Sequence, residues 1–204
     1  MKNILLTSYF AGTTEYFKKF MSNFDLKNKD ILFIDTASNV EEYTRYVSEA
    51  HEALSNLNYI VSRLDVAHSN ILESRTKIEN ANIIYIAGGN TFYLLEKLKE
   101  LKLDRILIDK INSGTPYVGE SAGAIILAPN ITYIQKLDDP SFAPNLKDYS
   151  GLGVFDFSVL PHYLDIPFQE ETKYIFDNFH DQLKLVPINN HETLSILNDK
   201  LMNN

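Results

Sequence analysis

Five residues in the middle of the chain carry the strongest chemical signal. Gly119-Glu120-Ser121-Ala122-Gly123 matches the pattern G-x-S-x-G. In that pattern a serine rides on a sharp turn between a strand and a helix, and small flanking residues relieve the crowding. The turn lifts the serine hydroxyl clear of the sheet. The next backbone N–H, here that of Ala122, points into the same space and can hold an oxyanion. The surrounding sequence fits: Tyr117 and Val118 end an apolar strand, and the small-residue stretch Ala122–Ala128 opens a helix. The same five residues would also suit an ordinary strand-to-helix turn with serine as the cap. A second glycine turn, Gly88-Gly89-Asn90-Thr91-Phe92, again lies between a strand and a helix. Its amides can complete an oxyanion hole beside Ala122, while Asn90 or Thr91 can cap the helix that follows. Neither turn has the P-loop lysine or the dinucleotide-binding spacing.

A serine nucleophile needs a base. Of the five histidines, His51, His68 and His180 lie in polar surroundings and read as surface residues. His162 directly follows the apolar stretch Val159-Leu160-Pro161. In an open parallel sheet, reacting groups gather beyond the carboxyl ends of the strands, so His162 is expected on the same edge as Ser121. His191 is the reserve candidate.

The elements that must position these groups follow from hydrophobic periodicity. Short apolar runs at Asn3–Thr7, Asp30–Asp35, Tyr59–Leu64, Asn82–Ala87 and Pro116–Gly119 read as strands, the second buried on both faces. Helical spacing marks Val40–Leu57, Thr91–Leu101 and Leu103–Asn112. Strand and helix in alternation predict a three-layer α/β fold, a mostly parallel twisted sheet with helices on both faces. Residues Thr132–Gly153 have loop composition. A strand at Phe155–Leu160, a helix near Phe168–Gln182 and strands near Leu185–Ile188 and Thr193–Leu197 complete the reading. The last two strands are expected to form an antiparallel hairpin around Asn189-Asn190. With no repeat or linker in view, residues 1–204 are read as one domain.

Composition narrows the function classes. The formal net charge is -8, spread along the chain, which argues against nucleic acid or an anionic membrane as partner. The chain contains no cysteine, so disulfides, thiolate metal sites and a cysteine nucleophile are excluded. The start of the chain reads as a first strand rather than a signal peptide, and a cytoplasmic location is expected. The chemistry calls for neither metal nor organic cofactor.

Gly88-Gly89-Asn90-Thr91-Phe92, Gly119-x-Ser121-Ala122-Gly123-Ala124 and Pro161-His162-Tyr163 stand in the order and spacing of the dipeptidase E family of serine peptidases, which is related to cyanophycinase. The resemblance runs from the first strand to about residue 197. It implies a class I glutamine-amidotransferase-like (flavodoxin-like) fold with serine in place of cysteine. It also implies Ser121 as nucleophile, His162 as general base, and the N–H groups of Gly89 and Ala122 as oxyanion donors. The family's aspartyl dipeptidases cleave dipeptides with an N-terminal aspartate.

Two positions depart from that pattern. Where the family carries an aspartate to orient the histidine, this chain has Gln135 or Lys136, and Asp138, Asp139, Glu120, Asp165 and Glu192 are the substitutes considered. Where the family has Gly-Glu-Thr-Arg, this chain has Glu170-Glu171-Thr172-Lys173. Lysine is a poorer bidentate partner for a carboxylate than arginine, and its glutamate neighbours oppose an anionic substrate, so aspartyl specificity is not expected. Gly88, Asn90, Thr91 and Lys173 remain candidates for substrate contact.

The leading expectation is therefore a serine peptidase or amidase acting on a small peptide-like substrate, as a monomer or homodimer. The alternatives are a catalytically degenerate binding protein on the same fold, or a small serine esterase.

Overall fold

The computed structural model describes residues 1–26 and 28–203. Five parallel strands form its centre: β1 (Asn3–Thr7), β2 (Asp30–Ile34), β3 (Ile60–Leu64), β4 (Ile83–Ile86) and β5 (Tyr117–Glu120). With β8 (Thr193–Leu197) and β9 (Lys200–Asn203) they make a seven-stranded sheet in the order β3-β2-β4-β5-β1-β8-β9. The strands β8 and β9 are antiparallel to their neighbours. The remaining two, β6 (Ser158–Leu160) and β7 (Leu185–Pro187), pair with each other in a separate parallel ribbon.

Strand periodicity explains why this sheet is sandwiched. Successive side chains of a strand leave opposite faces, and both faces here are apolar. Ile4, Leu6, Leu32, Ile34, Ile84, Ile86 and Tyr117 enter one core. Their alternates Leu5, Ile31, Phe33, Ile83, Tyr85 and Val118 enter the other. Helices α1 (Thr14–Met21) and α2 (Arg45–Asn56) cover the second core through Phe17, Phe20, Met21, Val47, Ala50 and Leu54. The first is covered by α3 (Ile71–Asn80), α4 (Thr91–Glu100), α5 (Leu103–Asn112), α6 (Ala122–Ile125) and α7 (Gln169–Phe179).

Two expectations are corrected, and the long loop is given its anchor. The helix read over Val40–Leu57 begins only at Arg45; Thr36–Val40 forms a 3₁₀ turn and residues 41–44 an irregular segment. Its amphipathic pattern is real from Val47 onward, but Glu41 and Tyr43 are drawn to a cavity wall instead of a helix face. Leu185–Ile188 and Thr193–Leu197 do not form a hairpin. The first pairs parallel with β6 and the second joins β1, because β8 carries the buried run Leu194–Ile196 that can close the open edge of β1. The stretch Thr132–Gly153 contains 3₁₀ turns at Thr132–Ile134 and Pro140–Phe142 and is pinned to α4. Asp138 accepts from Thr91 N (2.8 Å), Asn90 Nδ2 donates to the Asp139 carbonyl (3.0 Å), and Asn145 N donates to buried Glu96 (2.6 Å).

Candidate active site

Ser121 stands where β5, flanked by β4 and β1, gives way to α6. Its N–H still continues the sheet by donating to the Thr7 carbonyl at 2.9 Å. Its backbone has φ 47° and ψ −105°, a conformation costly for a residue with a side chain. The neighbouring packing holds it there. A Cβ on Gly123 would lie 2.3 Å from the Ile86 carbonyl oxygen, so only glycine lets α6 sit so close on β4. The Gly88 turn comes up beside the serine, and the place a Gly88 Cβ would take is 3.4 Å from Ser121 Cβ. Gly89 has φ +127°, and a Cβ there would lie 2.3 Å from the Ala37 carbonyl. Among the described residues, the N–H groups of Gly89 and Ala122 have no hydrogen-bond acceptor.

His162 reaches Ser121 from the small ribbon. It follows β6 and Pro161 with φ 58°, and its N–H donates to Ser8 Oγ at 2.9 Å, which in turn donates to the Ile188 carbonyl at 3.0 Å. These contacts tie the end of β6 to the ends of β1 and β7. The ring then lies between two partners: Nε2 is 3.0 Å from Ser121 Oγ, and Nδ1 is 2.7 Å from Asn190 Oδ1. An amide oxygen can only accept, so Nδ1 carries the proton and Nε2 presents its lone pair to the serine. Burial lowers the proton affinity of the imidazole, opposed first by the Asn190 hydrogen bond and then by the charge of Asp165. His162 therefore titrates below its usual range and is neutral, able to accept a proton, at pH 7.

The position behind the histidine is thus held by Asn190, not by any of the five carboxylates proposed for it. Glu120 is buried beneath the turn, where it accepts from Phe10 N and Tyr85 Oη. Asp138 holds Thr91 N and Asp139 caps Ser141 N. Glu192 accepts from Asn189 N. Asp165 comes nearest, but its carboxylate takes the backbone N–H of Asn190 at 2.5 Å rather than the imidazole. Asn190 went unrecognised because Asn189-Asn190 reads locally as turn chemistry. The discriminating signal would have been parallel pairing of β6 and β7, which aligns Leu160 with Pro187 and so sets Pro161-His162 beside Asn189-Asn190.

A cavity of about 830 Å³ opens over the serine. Its wall includes Ser8, Tyr9, Tyr43, Tyr46, Gly88, Gly89, Asn90, Ser121, Phe142, His162, Phe168 and Asn190. Glu41, Glu49, Glu120, Asp138 and Asp139 also line it, with Arg45 the one lysine or arginine among the described lining residues, paired with Glu49 at 2.9 Å. Burial pushes Glu120 and Asp138 each up to about 7. Of the other substrate-contact candidates, Asn90 caps α4 through Tyr93 N and Thr91 is buried beneath the wall. Lys173 is spent on Asp177 at 2.6 Å on the exposed side of α7 and does not line the cavity. The reserve candidate His191 is exposed beyond Asn190. No described helix is long and apolar enough to cross a membrane.

An α/β sheet that presents a serine on a strand-to-helix elbow, hydrogen-bonded to a histidine, is an arrangement shared by serine hydrolases of several unrelated lineages. Comparison with known proteins selects the lineage. The model of peptidase family S51 matches residues 4–203. An uncharacterized peptidase of Listeria monocytogenes is 44% identical over 196 residues, covering 96% of this chain and 95% of the relative. Peptidase E of Haemophilus influenzae is 33% identical over 172 residues, covering 80% of this chain and 74% of that protein. A crystal structure of a Listeria monocytogenes protein provisionally named peptidase E superposes with a TM-score of 0.93 at 42% identity, covering 100% of this chain and 98% of that one. A peptidase from an acI-B1 Actinobacterium shares the fold, with a TM-score of 0.72 at 20% identity over 96% of this chain and 83% of that one. The chain belongs to peptidase family S51 and is a serine-type peptidase with the expected class I glutamine-amidotransferase-like α/β fold.

Proposed function

We propose that this protein hydrolyses amide bonds of small peptides through an acyl-enzyme formed on Ser121. The observation that carries the reading is the continuous hydrogen-bonded row Ser121 Oγ, His162 Nε2, His162 Nδ1 and Asn190 Oδ1, at 3.0 Å and 2.7 Å. His162 takes the hydroxyl proton as Ser121 Oγ bonds to the substrate carbonyl carbon. The resulting oxyanion is held by the Gly89 and Ala122 N–H groups. His162 then gives its proton to the leaving amine as the C–N bond breaks. Water attacks the ester with His162 again as base, and the acid product leaves with Ser121 restored. Asn190 keeps the imidazole in the reactive tautomer throughout.

The cavity wall bears on the substrate. An acidic side chain would enter a space lined by Glu41, Glu49 and Asp139, and by Glu120 and Asp138, which burial pushes up to about 7 and so leaves partly protonated, with Arg45 already paired to Glu49. Like charges repel more strongly where water is partly excluded. This supports neutral or cationic peptides over those beginning with aspartate. The degenerate-protein alternative was motivated by the missing aspartate, and Asn190 in that place supports the catalytic reading instead. The test is labelling by a serine-directed fluorophosphonate. The native chain should label with one equivalent and Ser121→Ala should not. A dipeptide library then reads out the preferred substrate, with aspartyl dipeptides expected among the poorest. Equal labelling of both proteins would remove Ser121 from the mechanism.

A further inference from the structure

The third partner of the row is uncharged. Asn190 can orient the imidazole, but it has no charge with which to stabilise the imidazolium that forms when Ser121 attacks. A carboxylate stands directly behind it. Asp165 closes a turn on His162, its N–H donating to the His162 carbonyl at 3.0 Å. Phe168 N returns to the Asp165 carbonyl at 2.7 Å, which sets the Phe168 ring 4.9 Å from the imidazole. From this turn the Asp165 side chain crosses to the other loop and accepts the Asn190 backbone N–H at 2.5 Å. One residue thus holds both His162 and Asn190 by direct hydrogen bonds. No lysine or arginine is hydrogen-bonded or ion-paired to it among the described residues.

We infer that Asp165 is the positioning residue of this site: its carboxylate staples the Asn190 turn to the His162 turn and supplies, one layer back, the negative charge that a neutral asparagine lacks. The inference rests on the assignment of Ser121 and His162 made above. A charge-assisted hydrogen bond to a backbone N–H is short and strong, so it fixes where the Asn190 oxygen points. The same charge favours the protonated form of His162, against the larger opposing effect of burial. Other titratable groups surround the pair. Across the cavity stand Tyr9, Tyr46, Glu41, Glu49, Glu120, Asp138 and Asp139, with Arg45. Glu170 and Glu171 open α7, and His191 and Glu192 follow Asn190. Among the described residues none of these is hydrogen-bonded to Asn190, the residue that orients the imidazole, whereas the Asp165 carboxylate is.

The experiment compares fluorophosphonate labelling of the full chain, as maximal rate and half-saturating probe concentration against pH, for the native protein, Asp165→Asn and Asp165→Glu. Asparagine keeps an acceptor for the Asn190 N–H and removes the charge. Its maximal rate at pH 8 should fall about tenfold, equivalent to one pH unit of lost imidazolium stabilisation. Half-saturation should be unchanged, and the acid limb should move to lower pH. Glutamate restores the charge and should bring the acid limb back toward its native position. An Asp165→Asn profile that overlays the native one would overturn the inference. So would a slower variant with an unmoved acid limb, or a glutamate variant that follows the asparagine one. Ser121→Ala serves as the separate control: if it still labels, the underlying assignment fails whatever Asp165 does.

Discussion

Removing the Asn190 side chain is the sharpest perturbation of the site. In Asn190→Ala the backbone N–H still bonds to Asp165, so the turn keeps its anchor while the Oδ1 acceptor, 2.7 Å from His162 Nδ1, disappears. Two effects follow. A partly buried Nδ1–H loses its only hydrogen bond among the described residues, which costs about 1–3 kcal/mol. The tautomer with its proton on Nε2, useless as a base toward Ser121, becomes competitive. If that cost falls on the reactive arrangement, it converts to a loss of about 10- to 100-fold in the maximal labelling rate by a fluorophosphonate. Half-saturation should barely change, because the cavity wall is otherwise intact. Asn190→Asp is the complementary change. It keeps an acceptor and adds a charge against the imidazole, so the acid limb of the rate profile should move to higher pH. The assay is stopped-time labelling from pH 5 to 9, with unfolding midpoints recorded for each variant. A correctly folded Asn190→Ala that labels at the native rate would refute the orienting role of Asn190, and an unmoved acid limb in Asn190→Asp would refute direct contact with the ring.

Two further outcomes test the frame around the site. Glu120 is buried and pushed up from its ordinary 4.5 to about 7, so the fold binds its proton more tightly than the unfolded chain does. Its contribution is therefore most favourable below pH 4.5, declines as pH rises to 7 and is constant above, a loss of about 3 kcal/mol; the urea-measured difference in stability between Glu120→Gln and the native chain should shift in favour of the variant by that order between pH 4.5 and 8, and a pH-independent difference would refute the assignment. At Gly89, with φ +127° and no room for a Cβ beside Ala37, alanine should displace the turn that presents the N–H, lowering labelling about 100-fold or more along with the melting temperature, and native-rate labelling would rule out Gly89 as an oxyanion donor.

Much of this was legible in one dimension. Fully apolar runs such as Ile31-Leu32-Phe33-Ile34 and Ile83-Ile84-Tyr85-Ile86 can only be central strands buried on both faces, because every alternate residue needs a core. Gly119-Glu120-Ser121-Ala122-Gly123 specifies its elbow locally, since a Cβ on Gly119 would lie 2.5 Å from the Gly123 carbonyl oxygen. The start of α2 was less legible, because Glu41 and Tyr43 continue a helical pattern yet serve the cavity wall.

The sequence by itself therefore determined the Ser121 turn, the buried sheet and His162 at the end of its strand, all set by contacts within a few residues or by strand periodicity. Only the tertiary structure decided what stands behind His162. Asn190 lies 28 residues away, and nothing in its own turn marks it. It arrives because β7 pairs in parallel with β6 instead of folding back on β8, which carries the 189–190 turn to the same end as His162. The carboxylates that sequence reading offered for that place are held elsewhere by backbone N–H groups, Asp165 among them, so the charge came to lie one layer back and the amide came to touch the ring.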